Sequence, residues 1–196
     1  MNKKAIFLLG IIFALLVLIL VVFFLNWHFN KHISFAGLSN KKTLIVYYSH
    51  SNHTEEIAKM IRQYLNCDIT EIKSEEYENK NAAELTNLVT EQIKKNYLPQ
   101  TNKINISDYN IIFVGSPVWQ GNISLPVKSF LINNNFDNKT IIPFYTFGGF
   151  VNKSKLDNQV KELSHTDIVL PSFLTVCYKF TFTKTRLIRW LSKITL

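Results

Sequence analysis

Cysteine is nearly missing from this chain. Cys67 and Cys177 are the only two in 196 residues, and both fall in stretches that read as strands. Such a count does not build a disulfide framework, and it leaves the redox compartment open. No Cys-x-x-Cys or His-Glu-x-x-His spacing occurs, and His50 with His53 is better read as a solvated loop pair than as a metal site. No Gly-x-Gly-x-x-Gly fingerprint marks a separate dinucleotide site. Basic residues are nowhere interleaved with aromatics in the manner of a nucleic-acid patch, so no nucleic-acid partner is expected. Internal repeats and low-complexity tracts are also absent.

Acidic residues are the next scarcity. The chain carries 22 Lys plus Arg against 14 Asp plus Glu, a formal charge of +8, and no acid precedes residue 40. Lys3, Lys4 and Lys31 account for three of those cations, so the remainder keeps +5. A basic excess of that size fits a Lys-rich surface, with anionic lipid or an acidic partner as the alternative.

Charge of either sign is missing from Ala5 to Leu25, AIFLLGIIFALLVLILVVFFL. About 20 such residues span a hydrocarbon core as a helix. The run exceeds the roughly 7–15 apolar residues of a signal peptide, and the small-x-small triplet Ser34-Phe35-Ala36 lies far beyond it. The expectation is therefore an uncleaved single-pass anchor over 1–26, inserted in the bilayer through 5–25 with Trp27 at the interface. A polar linker over 27–42 and one domain over 43–196 follow. Lysines on both sides nearly balance the positive-inside rule; the very short positive tail favours a domain outside.

From Thr43 the pattern alternates between strand and helix. Thr43–Tyr48 is an apolar run suited to a strand covered on both faces. Ile57, Met60, Ile61, Tyr64 and Leu65 mark one face of a helix, with Thr54 as its N-cap and Glu55 and Glu56 in its first turn. Cys67–Lys73 reads as an edge strand, Asn81–Lys95 as a helix, and Tyr109–Gly115 as the most apolar strand. Pro126 opens the next helix. Thr140–Thr146 is a fourth strand, although Pro143 argues against a central position. A helix around Leu156, Val160 and Leu163, a strand over Ile168–Val176 and a helix over Lys184–Ile194 complete the series. Lys184, Arg186, Arg189 and Lys193 surround Leu187, Trp190 and Leu191 on that last helix. Its apolar face is expected to lie on the sheet, the alternative being an anionic lipid surface.

Five strands alternating with five helices imply an α/β three-layer sandwich with a parallel five-stranded sheet. Ligands in such folds sit beyond the C-terminal strand ends. Three loops take that position. Ser49, Ser51, Asn52, His53 and Thr54 offer hydroxyls and helix N-terminal amides to a phosphate, with no Lys or Arg among them. Pro117, Val118, Trp119 and Gly121 follow the third strand, where the indole is poorly placed for packing and free to stack on a planar ring. Thr146, Gly148 and Gly149 follow the fourth, where glycine lets backbone approach the same ring.

YYSHSNHTEEIA, YNIIFVGSPVWQGNISLPVKSF and IIPFYTFGGF together resemble the flavodoxin family, in particular its short FMN-binding members, from about Thr43 onward. The resemblance implies strand order 2-1-3-4-5 and FMN as cofactor. It places the FMN phosphate on Ser49, Ser51, Asn52, His53 and Thr54, the isoalloxazine beside Pro117, Val118, Trp119 and Gly121, and the closing loop at Thr146, Gly148 and Gly149. Where the family has Thr-Gly-Asn-Thr, this chain has Ser51-Asn52-His53-Thr54. Asn52 tolerates a positive φ, and His53 adds a pH-dependent contact to phosphate. Phe147 and Phe150 stand where small or polar residues are usual, which tightens the pocket. The implied function is a membrane-anchored FMN electron carrier serving a redox protein or quinone. The alternatives are an NAD(P)H-dependent FMN or quinone reductase and a degenerate, non-catalytic module. A phosphoacceptor receiver is disfavoured, because Ser49 and Ser116 stand where it needs acids.

Overall fold

Strand β1, Thr43–Tyr47, is buried along its whole length, and the sheet is laid out from it. The structure, a computed structural model, describes residues 3–31, 41–177 and 183–194. The chain divides into two units, Met1–Phe35 and Ala36–Leu196.

The first unit holds helix α1, Lys3–Lys31. Its side chains are described over Gly10–Phe24, and all of them are exposed. Among the described residues no helix is long and apolar enough to cross a membrane. The expected spanning helix over 5–25 thus gains no support from the structure. Trp27 and most of the linker lie outside the described side chains.

In the second unit β1 is followed by α2 (His53–Leu65), β2 (Asp68–Glu71), a 3-10 turn (Glu75–Tyr77) and α3 (Ala82–Lys94). Then come β3 (Ile111–Trp119), β4 (Asn122–Ile123), α4 (Leu125–Ile132), β5 (Thr140–Phe147), α5 (Lys153–Ser164), β6 (Phe173–Val176) and α6 (Thr183–Leu191). Five strands pair in parallel in the order β2-β1-β3-β5-β6. A sixth strand corrects the expected count of five. It is β4, two residues long and antiparallel to the end of β3.

Alternation along the strands sends side chains to two buried faces. Leu44, Val46, Ile112, Val114 and Ile141 share one core with Val89 of α3, Val127 and Phe130 of α4, and Leu156 and Val160 of α5. On the other side Ile45, Phe113, Ile142 and Phe144 are fully buried, as are Ile57, Ala58 and Ile61 of α2 and Leu187 of α6. The last helix therefore spends its apolar face on the sheet, not on lipid. Helix α3 starts where it does because of a capping box: Asn81 accepts from the Ala83 and Glu84 amides, and Glu84 accepts from Asn81 N–H.

Two prolines sit inside strands without breaking the sheet. In a parallel strand one residue points both backbone groups at the same neighbour. Ile141 faces the segment before β6, bonding Ile168 and Leu170, so Pro143 faces it too. Pairing there lapses between the Ile141–Val169 bridge and the start of β6 at Phe173. The missing N–H therefore costs no ladder bond, and β5 is a central strand despite its proline. By the same parity Pro117 points past the end of β1, since Gly115 accepts from Tyr48. Strand β3 consequently runs to Trp119, four residues beyond the boundary expected at Gly115.

Edge strand β2 carries a measurable penalty. Glu71 pairs in register with Tyr47, and its carboxyl is pushed up from the usual range by burial first and by the charge of Glu55 second. A carboxyl raised in the folded state loses stability as pH rises through its unfolded and then its folded pKa. Glu71→Gln is expected to raise the thermal midpoint at pH 7 and leave it unchanged near pH 3, measured by paired thermal melts. An equal shift at both values would assign the effect to something other than ionisation.

Candidate functional site

The first loop leaves β1 through Tyr48, whose N–H still bonds Gly115 at 3.1 Å. Helix α2 begins at His53, with Asn52 as N-cap at φ 63°. This corrects the expected cap at Thr54: a left-handed Asn reverses the chain two residues earlier. Thr54 is instead buried, its hydroxyl 2.8 Å from that of Thr146. The Asn52 side chain makes no capping hydrogen bond, and the N-terminal end of α2 is the kind of place that favours an anion. Ser51 and Asn52 are exposed, and the Ser51 hydroxyl lies 3.0 Å from His53 Nδ1. The Ser49 hydroxyl is buried and has no partner among the described residues. A buried donor left unpaired is costly, and a phosphate oxygen is the kind of group that would satisfy it.

The second loop is a hairpin, not an open turn. Gln120 and Gly121 have φ of 49° and 72°, the pair of positive values that a two-residue turn between β3 and β4 demands. Gly121 is therefore explained by the turn itself. Gln159 of α5 clamps the hairpin, accepting from the Ile123 amide at 3.1 Å and donating to Asn122 Oδ1 at 2.8 Å. Gln120 donates to Thr90 of α3 at 2.6 Å. Trp119, expected from the sequence to stack on a planar ring, is half-buried. Its ring meets Tyr48 and Tyr77 edge-on at centroid distances of 5.4 and 5.1 Å, with His50 at 6.5 Å. Pro117 and Val118 are half-buried beside it.

In the third loop Thr146 is buried and holds Thr54, while the Cys177 thiol also bonds Thr146. Burial raises that thiol's pKa and the Thr146 bond partly offsets it. A Cβ added to Gly148 or Gly149 would meet nothing within 4 Å. Phe150 stands wholly in solvent, so it does not close the pocket as the sequence implied. Phe147 is half-buried. Beneath the loop, Tyr145 donates to Asp157 at 3.1 Å, and Lys153 pairs with the same carboxylate at 2.7 Å.

The three loops thus meet along one edge of the sheet. The Thr54–Thr146 bond joins the first to the third, and the His50–Trp119 contact joins the first to the second. The flavodoxin family model matches residues 42–194. The chain belongs to the flavodoxin family. A Lactobacillus acidophilus flavoprotein, solved in complex with FMN, is 27% identical with a TM-score of 0.58, covering 68% of this chain and 93% of its own. A Bacteroides uniformis protein at 20% identity and TM-score 0.66 covers 78% of this chain and 99% of its own, showing the shared fold. No curated protein matches the chain.

Within this flavodoxin domain several supporting residues escaped the sequence reading. Tyr77 comes from a 3-10 turn that no periodicity announces, and it is held by a 2.8 Å bond to buried Gln92. Gln159 sits on the polar side of a helix and gives no motif. Cys177 beside Thr146 was visible only as a strand cysteine.

Proposed function

We propose that the domain is a flavoprotein whose cofactor is FMN and whose task is electron transfer. The observation that carries this is the first loop: a buried Ser49 hydroxyl with no partner among the described residues, beside a helix N-terminus whose Asn52 cap makes no side-chain hydrogen bond. Family membership and the FMN complex of the Lactobacillus acidophilus relative support it. In this reading Ser49, Ser51, Asn52 and His53 hold the phosphate through hydroxyls and amides, and Thr54 locks that loop to Thr146. Pro117, Val118 and the Gly121 turn form one wall of the ring site, and Gly148 and Gly149 leave the opposite side open. Trp119 stiffens the wall through Tyr48 and Tyr77; exposed Phe150 is the aromatic free to cover the ring. Bound flavin supplies reversible one- and two-electron chemistry.

The test is an absorbance spectrum of the purified chain before and after FMN. A yellow one-to-one complex is expected; a colourless protein that cannot be reconstituted would refute the reading. Phe150→Ala should then weaken FMN about tenfold or more, as loss of one stacking aromatic does, read from flavin fluorescence titration. Rapid bleaching of the bound flavin by NADPH alone would move the assignment from carrier to reductase.

We extend the reading to the N-terminus on sequence grounds. The uncharged run Ala5–Leu25 serves as a bilayer anchor, bringing the domain close to a membrane quinone or a membrane-bound redox protein. Retention of the full chain in the membrane pellet after an alkaline wash is expected, with release of a chain starting at Ala36. Release of both would remove the anchor.

A further inference from the structure

A cavity of about 520 Å³ opens between the end of β5, strand β6 and helix α6. Its volume falls in the range of small-molecule sites, about 300–1,000 Å³. Phe147, Phe173 and Trp190 line it together with Lys153, Arg186, Arg189 and Lys193. The aromatic floor is firmly set. Trp190 donates its indole N–H to Pro171 at 2.8 Å and packs against Phe173 at a centroid distance of 5.3 Å.

The cations divide into used and unused. Lys153 is committed to Asp157 at 2.7 Å. Arg186 donates to the Leu174 carbonyl at 3.0 Å and lies over the Phe173 ring at 5.8 Å. Arg189 in the last turn of α6 and Lys193 in the turn just beyond it have no side-chain partner among the described residues. Ser172, only 5% exposed, also lines the cavity, and its buried hydroxyl has no partner among the described residues.

Unspent positive charge at the rim, flat aromatic walls and an orphaned hydroxyl form a set that neither the flavin reading nor the fold uses. We propose that this cavity binds a small planar aromatic anion, its ring against Trp190 and Phe147 and its phosphate or carboxylate on Arg189 and Lys193. Aromatic walls favour a flat apolar body, and guanidinium favours an oxyanion by charge-assisted hydrogen bonds. Ser172 supplies one directional bond at the buried end. Phe147 is the last residue of β5, so an occupant would sit next to the third loop without entering the phosphate loop.

The test titrates 2-naphthyl phosphate into the FMN-loaded full chain in non-ionic detergent, followed by calorimetry. One site is expected, at least tenfold tighter than 2-naphthol or inorganic phosphate alone, with the flavin spectrum still that of bound FMN. R189Q/K193Q should weaken it at least tenfold; both side chains are exposed, so the fold is not at stake. Ser172→Ala should weaken binding several-fold while raising the thermal midpoint of the unliganded protein, since it deletes an unsatisfied hydroxyl. Equal affinity for 2-naphthol, unchanged affinity in R189Q/K193Q, or release of FMN in step with binding would each overturn the proposal. Should the chain hold no FMN, the same titration on the flavin-free protein separates the two readings.

Discussion

Ser51→Asp should make the flavin-free protein more stable and the flavin complex at least about 100-fold weaker. Ser51 is exposed and directly precedes Asn52, the N-cap of α2, whose side chain makes no capping hydrogen bond. A carboxylate near such a terminus contributes about 0.3–1 kcal/mol through the helix dipole, or roughly 1–4 °C in a domain of this size. His53, whose Nδ1 lies 3.0 Å from the Ser51 hydroxyl, offers a second favourable contact. The same charge opposes a bound phosphate. At about 5 Å and an effective dielectric near 20, two unit charges repel by about 3 kcal/mol, enough for the 100-fold loss. Ser51→Asn, which keeps the polarity without the charge, should change affinity by less than about fivefold. Thermal melts without FMN and fluorescence titration with it measure the two effects separately. A stabilised variant that binds FMN as well as the original would place the phosphate somewhere other than this loop.

The alternation of apolar runs and helical faces was sufficient for a parallel sheet covered on both sides, whereas the strand order came only with the family resemblance. Boundaries were harder. Ser116-Pro117 looks like the start of a loop, since proline usually ends a strand. Whether its missing N–H matters depends on where the neighbouring strand stops, and β1 stops at Tyr47. Pro143 misled in the same way, its free side being visible only once the gap before β6 is known. Asn52 was legible: its tolerance of positive φ is intrinsic, and it adopts 63°. Trp119 was not. Its partner Tyr77 is some forty residues earlier, on a turn positioned by Gln92, and no local pattern records that meeting. The cavity beside α6 was half visible, since the cations were noted, but burial of Leu187 and Leu191 had to be seen before those charges could be assigned to a pocket instead of a lipid surface.

Gly115→Ala should cost about 3 kcal/mol, near the upper end of typical overpacking penalties, and lower the thermal midpoint by roughly 6–12 °C. Gly115 is paired in register with Tyr47 on one side and Phe144 on the other. A Cβ there would stand 2.2 Å from Phe144 Cζ and 2.8 Å from Tyr47 Cβ. The ring has little room to yield, because Phe144 is fully buried, and Tyr47 Cβ moves only with its strand. Gly121 provides the contrast. Its φ of 72° is strained for any side chain, but nothing lies within 4 Å of an added Cβ. Gly121→Ala should therefore cost only about 1–2 kcal/mol, a backbone penalty alone. Trimming the obstacle distinguishes the causes: Phe144→Leu is destabilising by itself, yet in combination with Gly115→Ala the losses should fall short of their sum by about 1 kcal/mol or more, as contacting residues do. Denaturant melts of the four proteins close that cycle. Full additivity would mean that the ring does not constrain Gly115, and that the close approach of β1, β3 and β5 beneath the loops is set by something other than this missing side chain.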